Sequence, residues 1–333
     1  MKPTISVLIP AYNTEKTILA AVWSALNQDF DSFEVCVFDD GSTDNTRSLI
    51  SAISDARLRI AGSTTNMGVV HARNTLLREA KSPFVAWLDA DDIMLPGRLQ
   101  KQFNFLQTHP EVDIVGGWAE LRYTGLDAAD HKQIKTRVKP PKNPDYLEAA
   151  MLFRNPFVNS SIMARNFFVA ENLLFDPEFD GFAEDYDLFL RCLMAEKRFG
   201  IVSAPVVSYW VRTENEQKKK EVRHKAQEKW ERLLCRNFPY TGKDTAGVVV
   251  HFLRNNEPLS AEIFSVIKAW LKEAEKVMRS RGQVGTTGAK AALLFQRFRL
   301  QRLRFGWVGA FLWLIFRNPV LTISMLRNRT RMV

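Results

Sequence analysis

The run Phe84-Val85-Ala86-Trp87-Leu88-Asp89-Ala90-Asp91-Asp92 decides how this chain is read, because an apolar stretch ends in three carboxylates within four residues. An apolar, aromatic-containing run of this length is the pattern of a strand buried on both faces. The acids then fall at its carboxyl end, the edge of an open α/β sheet where ligands bind. Asp89 and Asp91 are two apart, so on an extended segment they share a face. Adjacent carboxylates repel unless a cation sits between them. A hard divalent ion such as Mg²⁺ or Mn²⁺ takes oxygen ligands, often one or two carboxylates, with substrate phosphates completing its shell. The same acids also suit a plain turn or a helix N-cap after a strand.

The flanking sequence repeats the pattern. Ile5 to Pro10 reads as a first strand, with Asn13 and Thr14 as N-cap candidates for a helix to about Asn27 that carries Ile18, Val22 and Leu26 on one face. Phe33 to Phe38 reads as a second strand, ending in Asp39-Asp40-Gly41-Ser42, with a helix from Thr43 or Asp44 to about Ser51. Leu58 to Ile60 is a short third strand, and Asn66-Met67-Gly68 opens a helix to about Ala80. Pro96 marks the start of a helix with Leu99, Phe103 and Leu106. Strands alternating with helices through short links predict an α/β, doubly wound, mostly parallel sheet with helices on both faces. Every polar cluster follows a strand, so Asn13, Asp39-Asp40, Asn66 and Asp89-Asp91-Asp92 are expected at one edge of that sheet.

Further on, Asp113 to Trp118 reads as a strand, about 127–144 as a polar surface loop, and Asn155 to Ser161 as the approach to a strand at Ile162-Met163. A helix begins within Phe182-Ala183-Glu184-Asp185-Tyr186-Asp187, its acids in the first turn where the dipole favours them. Val202 to Trp210 is a late strand, and helical, basic sequence follows.

The 333 residues are 46% hydrophobic and 25% charged, ordinary for a globular chain of two domains. Cys36, Cys192 and Cys235 have neither metal spacing nor an even framework, which suggests structural thiols in a reducing compartment. Met1 to Ile5 runs directly into a strand pattern, so no secretory signal is read and a cytoplasmic location is expected. The net charge of +9 is unevenly spread: 21 Lys+Arg stand against 27 Asp+Glu up to Val211, but 25 against 10 from Arg212 onward. No acid follows Glu275. A one-sided basic tail points to a polyanion.

Taken together, the motifs resemble the family-2 glycosyltransferases of the GT-A fold. The matching residues are Val7 to Asn13, Ser24 to Gln28, Phe38 to Asp44, Asn66-Met67-Gly68, Ala72-Arg73-Asn74, Asp89 to Asp92 and Glu184 to Asp187, in that order, across about residues 4 to 212. The resemblance implies transfer of a sugar from a nucleotide-sugar donor, a UDP-sugar, to a hydroxyl of a lipid-linked or cell-surface glycan acceptor, with inversion and a divalent metal (Mn²⁺ or Mg²⁺). It implies that Pro10, Ala11, Tyr12 and Asn13 line the base pocket, that Asp40 bonds the base with Asp39 in support, and that Asn66, Gly68 and Arg73 lie near the nucleotide. Asp89 would reach the ribose or the metal, Asp91 would ligate the metal, and Asp185 would be the general base. The chemistry suits these types: a carboxylate takes the acceptor's proton, a metal offsets charge on the leaving diphosphate, and Arg73 offers a fixed cation.

Plainer roles stand beside these. Asp185 can be a helix N-terminal acid, with Asp187 as substitute base; Arg73 can be a solvated helix residue, Tyr12 packing, and Gly41 and Gly68 turn glycines. Many family members carry a His shortly after the late strand; here the run is Tyr209-Trp210-Val211-Arg212-Thr213, and Arg212 is expected to take over part of its charge balance. A nucleotidyltransferase on a related sheet and a catalytically inactive membrane scaffold are the competing readings.

The domain expectation is 1–212 for the sugar-transfer domain, 213–282 for a basic helical C-terminal region and 283–333 for a membrane-associating tail. Phe305 to Phe316 is twelve apolar residues, shorter than a spanning helix, and Arg297, Arg299, Arg302, Arg304 and Arg317 flank it. Short, Trp-bearing apolar segments among arginines suit an anchor lying on an anionic membrane surface, peripheral to the cytoplasmic face of the inner membrane; a buried core helix with a basic surface is the alternative. Nucleic acid is not expected as a partner, because the aromatics form a block and are not spaced as stacking platforms.

Overall fold

The computed structural model describes residues 2–123, 136–151, 154–181, 183–211 and 259–280, with scattered positions from 229 to 252 and at 296 and 300. The chain divides into two compact units, Met1–Pro140 with Pro156–Glu216, and Pro141–Asn155 with Gln217–Val333.

The first unit is built on one sheet. Its first half alternates β1 (Ile5–Ala11), α1 (Ile18–Leu26), β2 (Phe33–Asp40), α2 (Thr46–Ser51), β3 (Leu58–Ser63), α3 (Val69–Glu79) and β4 (Phe84–Trp87). Strands β3, β2, β1 and β4 lie side by side and all parallel, as strands joined by helical crossovers do, with β3 at the half-exposed edge. Beyond β4 come β8 (Met163–Arg165), antiparallel to it, then β6 (Ile114–Tyr123), β9 (Phe199–Val211) and the two-residue β5 (Ile93–Met94). The ladder of β6 with β9 is again parallel, and β7 (Thr136–Val138) pairs antiparallel with β6.

Period-two alternation splits the core. Ile5, Val7, Ile9, Val35, Val37, Phe84 and Ala86 face α1 and α4 (Arg98–Thr108), packing on Ile18, Val22, Leu99 and Leu106. The opposite face carries Phe38 and Trp87. There Phe38 meets His71 of α3 edge-on, and Trp87 meets Phe168, Phe175 and Phe189 in T-shaped contacts. Helices therefore cover both faces.

Several boundaries shift for local reasons. Helix α1 starts at Ile18 and not at Asn13 or Thr14, because Asn13 is held with φ at 50° and its side chain accepts from the Thr43 backbone N–H. Strand β2 runs on through Asp39 and Asp40, which pair with Gly62 and Ser63 of β3. Within the expected surface loop, Thr136–Val138 form β7, and Pro144 opens α5 (Pro144–Met151). Among the described residues a further helix spans Ala261–Ser280. Arg212 and the apolar stretch at 305–316 lie outside the described residues, and among those described no helix is long and apolar enough to cross a membrane.

Candidate active site

The carboxyl ends of β1 to β4 open into one cleft of about 360 Å³. Pro10, Ala11, Tyr12 and Thr14 line it from the end of β1, Asp40 from β2, Asn66 from the loop after β3, and Asp89, Ala90 and Asp91 from the turn after β4. Val69, Ala72 and Arg73 of α3 form a wall and Tyr209 of β9 another. The pairing of Ile93 and Met94 with Ser208 and Val207 carries the chain from the acidic turn directly onto β9, which brings Tyr209 opposite Asp89 and Asp91.

Asp40 is buried, and its oxygens accept from the backbone N–H of Met67 and Gly68 and from Ser63 Oγ, at 2.8 to 3.1 Å. The carboxylate thus satisfies orphan donors before the first turn of α3. Gly41 and Gly68 make this possible. Gly41 has φ at 69° and lies against the Thr65–Asn66 backbone; Gly68 has φ at 96°, and a Cβ there would strike the Asp180 carboxylate, which accepts from Val70 N–H at 2.8 Å. Asn66 closes a local turn by accepting from Gly68 N–H at 3.0 Å. Asp39 supports the Gly41–Ser42 turn by accepting from Ser42 N–H at 3.3 Å. Asn13 joins the loop after β1 to the loop after β2, with its N–H on Ser42 Oγ at 2.9 Å. Asn13, Asp39, Gly68 and Asp185 are therefore not lining residues; the first three shape the loops that line the cleft.

Arg73 is a buried residue, 5% exposed, and not a solvated one. It donates to Asp89 at 2.8 Å and to Glu184 at 2.6 Å, and its guanidinium stands 5.4 Å from the Phe175 ring centre. Burial works against its charge, but Asp89 and Glu184 outweigh that and hold it firmly protonated. Through Arg73 the acidic turn after β4 is tied to the N-terminus of α6 (Glu184–Met194), where Asp185 sits. Burial, and then the neighbouring Glu184 charge, push the Asp185 carboxyl up to about 6, with Arg73 opposing. Asp92 is fully buried and is pushed up to about 8, by burial and then by Asp89. Tyr209 is pushed up to about 12, by burial and then by the surrounding carboxylates, so it remains a phenol with a proton to donate.

Asp89 and Asp91 offer hard oxygen donors on one cleft wall. Among the described residues no three His, Cys, Asp or Glu side chains form a closed cage. An open pair of carboxylates fits a Mg²⁺ or Mn²⁺ ion shared with a phosphate-bearing ligand. Sequence reading does not pick out Tyr209, Thr14 or Glu184 as site residues. Glu184 has a visible signal, as the acid adjoining Asp185; Tyr209 has none, because its place depends on a strand pairing.

The model of Glycosyl transferase family 2 matches residues 6–173. The Escherichia coli protein named UDP-Glc:alpha-D-GlcNAc-diphosphoundecaprenol beta-1,3-glucosyltransferase WfgD is 38% identical over 102 residues, 31% of this chain and 40% of its own length. The chain covers 58% of the length of one uncharacterized glycosyltransferase of Haemophilus influenzae, 32% identical over 190 residues, and 78% of another, 32% identical over 209 residues. Among solved structures, Staphylococcus aureus TarS 1-349 in complex with UDP-GlcNAc superposes with a TM-score of 0.54 at 19% identity, over 91% of this chain and 81% of that one. The mannosyltransferase PcManGT from Pyrobaculum calidifontis, in complex with GDP-Man and Mn²⁺, gives 0.52 at 18% identity over 90% and 87%. These two likenesses speak to the fold.

Proposed function

The chain belongs to glycosyl transferase family 2, and from that we propose that it transfers a sugar from a nucleotide-diphosphate sugar, a UDP-sugar, to a hydroxyl of a lipid-linked or polysaccharide acceptor, with inversion. The observation that carries this reading is the convergence of Tyr12, Asp40, Arg73, Asp89 and Asp91, from separate strand ends and one helix, on a single cleft. The relative named for a UDP-Glc donor and a diphosphoundecaprenol acceptor, and the fold neighbour holding UDP-GlcNAc, support the choice of donor and acceptor.

In this reading Pro10, Ala11 and the half-exposed Tyr12 receive the base, and Asp40 keeps the Asn66–Gly68 turn at its edge. Asp91 and Asp89 would hold a divalent cation, which would offset charge on the departing diphosphate. Arg73 fixes Asp89 and presents its own charge to the same place. Asp185 accepts the proton of the attacking hydroxyl. A carboxylate that titrates near 6 is a stronger base than an ordinary one and is still ionised at neutral pH. The proton leaves the acceptor oxygen for Asp185 as the oxygen–carbon bond forms and the diphosphate departs on the opposite face.

The test is a panel of nucleotide sugars scored by thermal shift with and without Mn²⁺, because a ligand that binds only the native state raises its melting point. The positive donor is then turned over with a lipid-diphosphate sugar acceptor. Release of nucleoside diphosphate is expected; release of pyrophosphate, or no shift with any donor, overturns the assignment.

A further inference from the structure

We propose that Ser160, Arg98 and Asp92 form a buried brace that sets the reach of Asp89 and Asp91 into the cleft, and that they act as positioning residues for the cation those acids hold. This rests on the donor and metal reading above.

Five residues, Leu88 to Asp92, separate β4 from β5, and both ends of that turn are tied down. Asp89 N–H donates to Ser160 Oγ at 3.0 Å, and Asp92 N–H closes back on the Asp89 carbonyl at 3.0 Å. The Asp92 carboxylate accepts from Trp210 N–H of β9 at 3.1 Å. Ser160 thus holds the backbone at the start of the acidic turn, and Trp210 holds the side chain at its end. Ala90 and Asp91 between these anchors line the cleft.

Arg98 holds the same turn from below. It is fully buried, donates to the Trp87 carbonyl at 3.0 Å and the Ile162 carbonyl at 2.9 Å, and is oriented by Gln102 at 2.8 Å. Gln102 in turn donates to the Ser161 carbonyl at 2.8 Å. The end of β4 and the 159–161 turn are thereby locked to one guanidinium.

Stability does not explain this arrangement. Arg98 Nη1 and Asp92 Oδ2 are buried without a hydrogen-bond partner. Burial drags the Arg98 guanidinium down to about 9, with Asp92 opposing. Buried charged atoms without a hydrogen-bond partner cost stability, and an apolar filling would avoid that cost. What charged and hydroxyl groups supply here is direction, fixing the backbone that aims two carboxylates at one point. Partners behind a metal's own ligands tune affinity in the same way.

The experiment compares Ser160→Ala with Ser161→Ala in the full chain. Ser161 lies on the same turn, but its hydroxyl donates to the Val158 carbonyl at 2.6 Å. Calorimetry with UDP is run with and without Mn²⁺, and the Mn²⁺ electron-spin-resonance signal is recorded with UDP present. For Ser160→Ala we expect Mn²⁺-dependent UDP affinity to fall roughly tenfold, with metal-free UDP affinity unchanged and a broadened spectrum. Ser161→Ala should lose comparable melting temperature but keep the Mn²⁺ effect. Equal losses in the two variants, or none in Ser160→Ala, overturn the brace. Should Ser160→Ala fail to fold, Ser160→Cys is read by the same criteria. A wild-type chain whose UDP affinity ignores Mn²⁺ instead refutes the metal reading on which the brace depends.

Discussion

The substitution Glu184→Gln should move the acid limb of the kcat/KM profile to lower pH. The Asp185 carboxyl is raised from its ordinary 3.8 to about 6, by burial first and by the Glu184 charge second, while Arg73 pulls it down. An amide in place of the Glu184 carboxylate keeps the size of the side chain and removes its charge. Arg73 would then retain Asp89 and lose its 2.6 Å ion pair with Glu184, so its effect on Asp185 would be undiminished. The loss of the Glu184 charge therefore acts alone to lower the Asp185 carboxyl, and one neighbouring charge at this range corresponds to about one pH unit. A general base must be ionised, so wild-type activity should rise through about pH 6 and the variant's through about pH 5. The assay is nucleoside diphosphate release at low donor concentration, from about pH 4.5 to about pH 8. A limb that stays in place, or moves upward, refutes the electrostatic account. A flat profile with retained turnover in Asp185→Asn removes Asp185 as the base. The sign carries over to stability. The folded state holds this proton more tightly than the unfolded chain, so the contribution is present below the ordinary carboxylate range and lost as pH rises through about 6. Asp185→Asn should therefore be at least as stable as wild type at alkaline pH.

Asp91→Ala should abolish the gain in UDP affinity on adding Mn²⁺; calorimetry with an unchanged gain would reject it as a ligand. Asp40→Asn keeps one carbonyl oxygen for the Met67 and Gly68 amides, but it replaces the charged group and puts an NH₂ where Oδ1 accepts from Ser63 Oγ and shares Met67 N–H, and should cost about 1–2 kcal/mol in urea unfolding; a loss below about 0.5 kcal/mol would show that the turn does not need the carboxylate. Gly41→Ala forces a side chain onto positive φ and into the Thr65 backbone, so a loss of at least about 1–3 kcal/mol is expected, and an unchanged midpoint would contradict that geometry. Deleting residues 303–333 should release the protein from anionic liposomes in a sedimentation assay, and full retention would place the membrane contact elsewhere.

The alternation of apolar runs and amphipathic stretches is enough to specify a parallel α/β sheet with its acids at the carboxyl edge. Period two and period 3.6 are local properties of a chain, and a carboxylate inside a buried strand costs free energy unless it is hydrogen-bonded or paired, as Glu34 is with Ser6 and Arg59. The meeting of Asp40, Asn66, Asp89 and Asp91 at one rim follows from that pattern, whereas the lateral order β3, β2, β1, β4 comes from the structure. What Arg73 does is not legible there, because an arginine on a helix looks the same whether it is solvated or buried. Its burial depends on Glu184, more than a hundred residues away in the chain. The same holds for Arg98 and Gln102, which fall on the buried side of α4 to meet carbonyls of β4 and the 159–161 turn. The place of Tyr209 is likewise hidden, since it rests on a two-residue pairing between β5 and β9. Sequence periodicity determines which face of each element is apolar; which distant charges then share a low-dielectric interior, and so which carboxyl titrates near neutrality, is decided only when the elements pack.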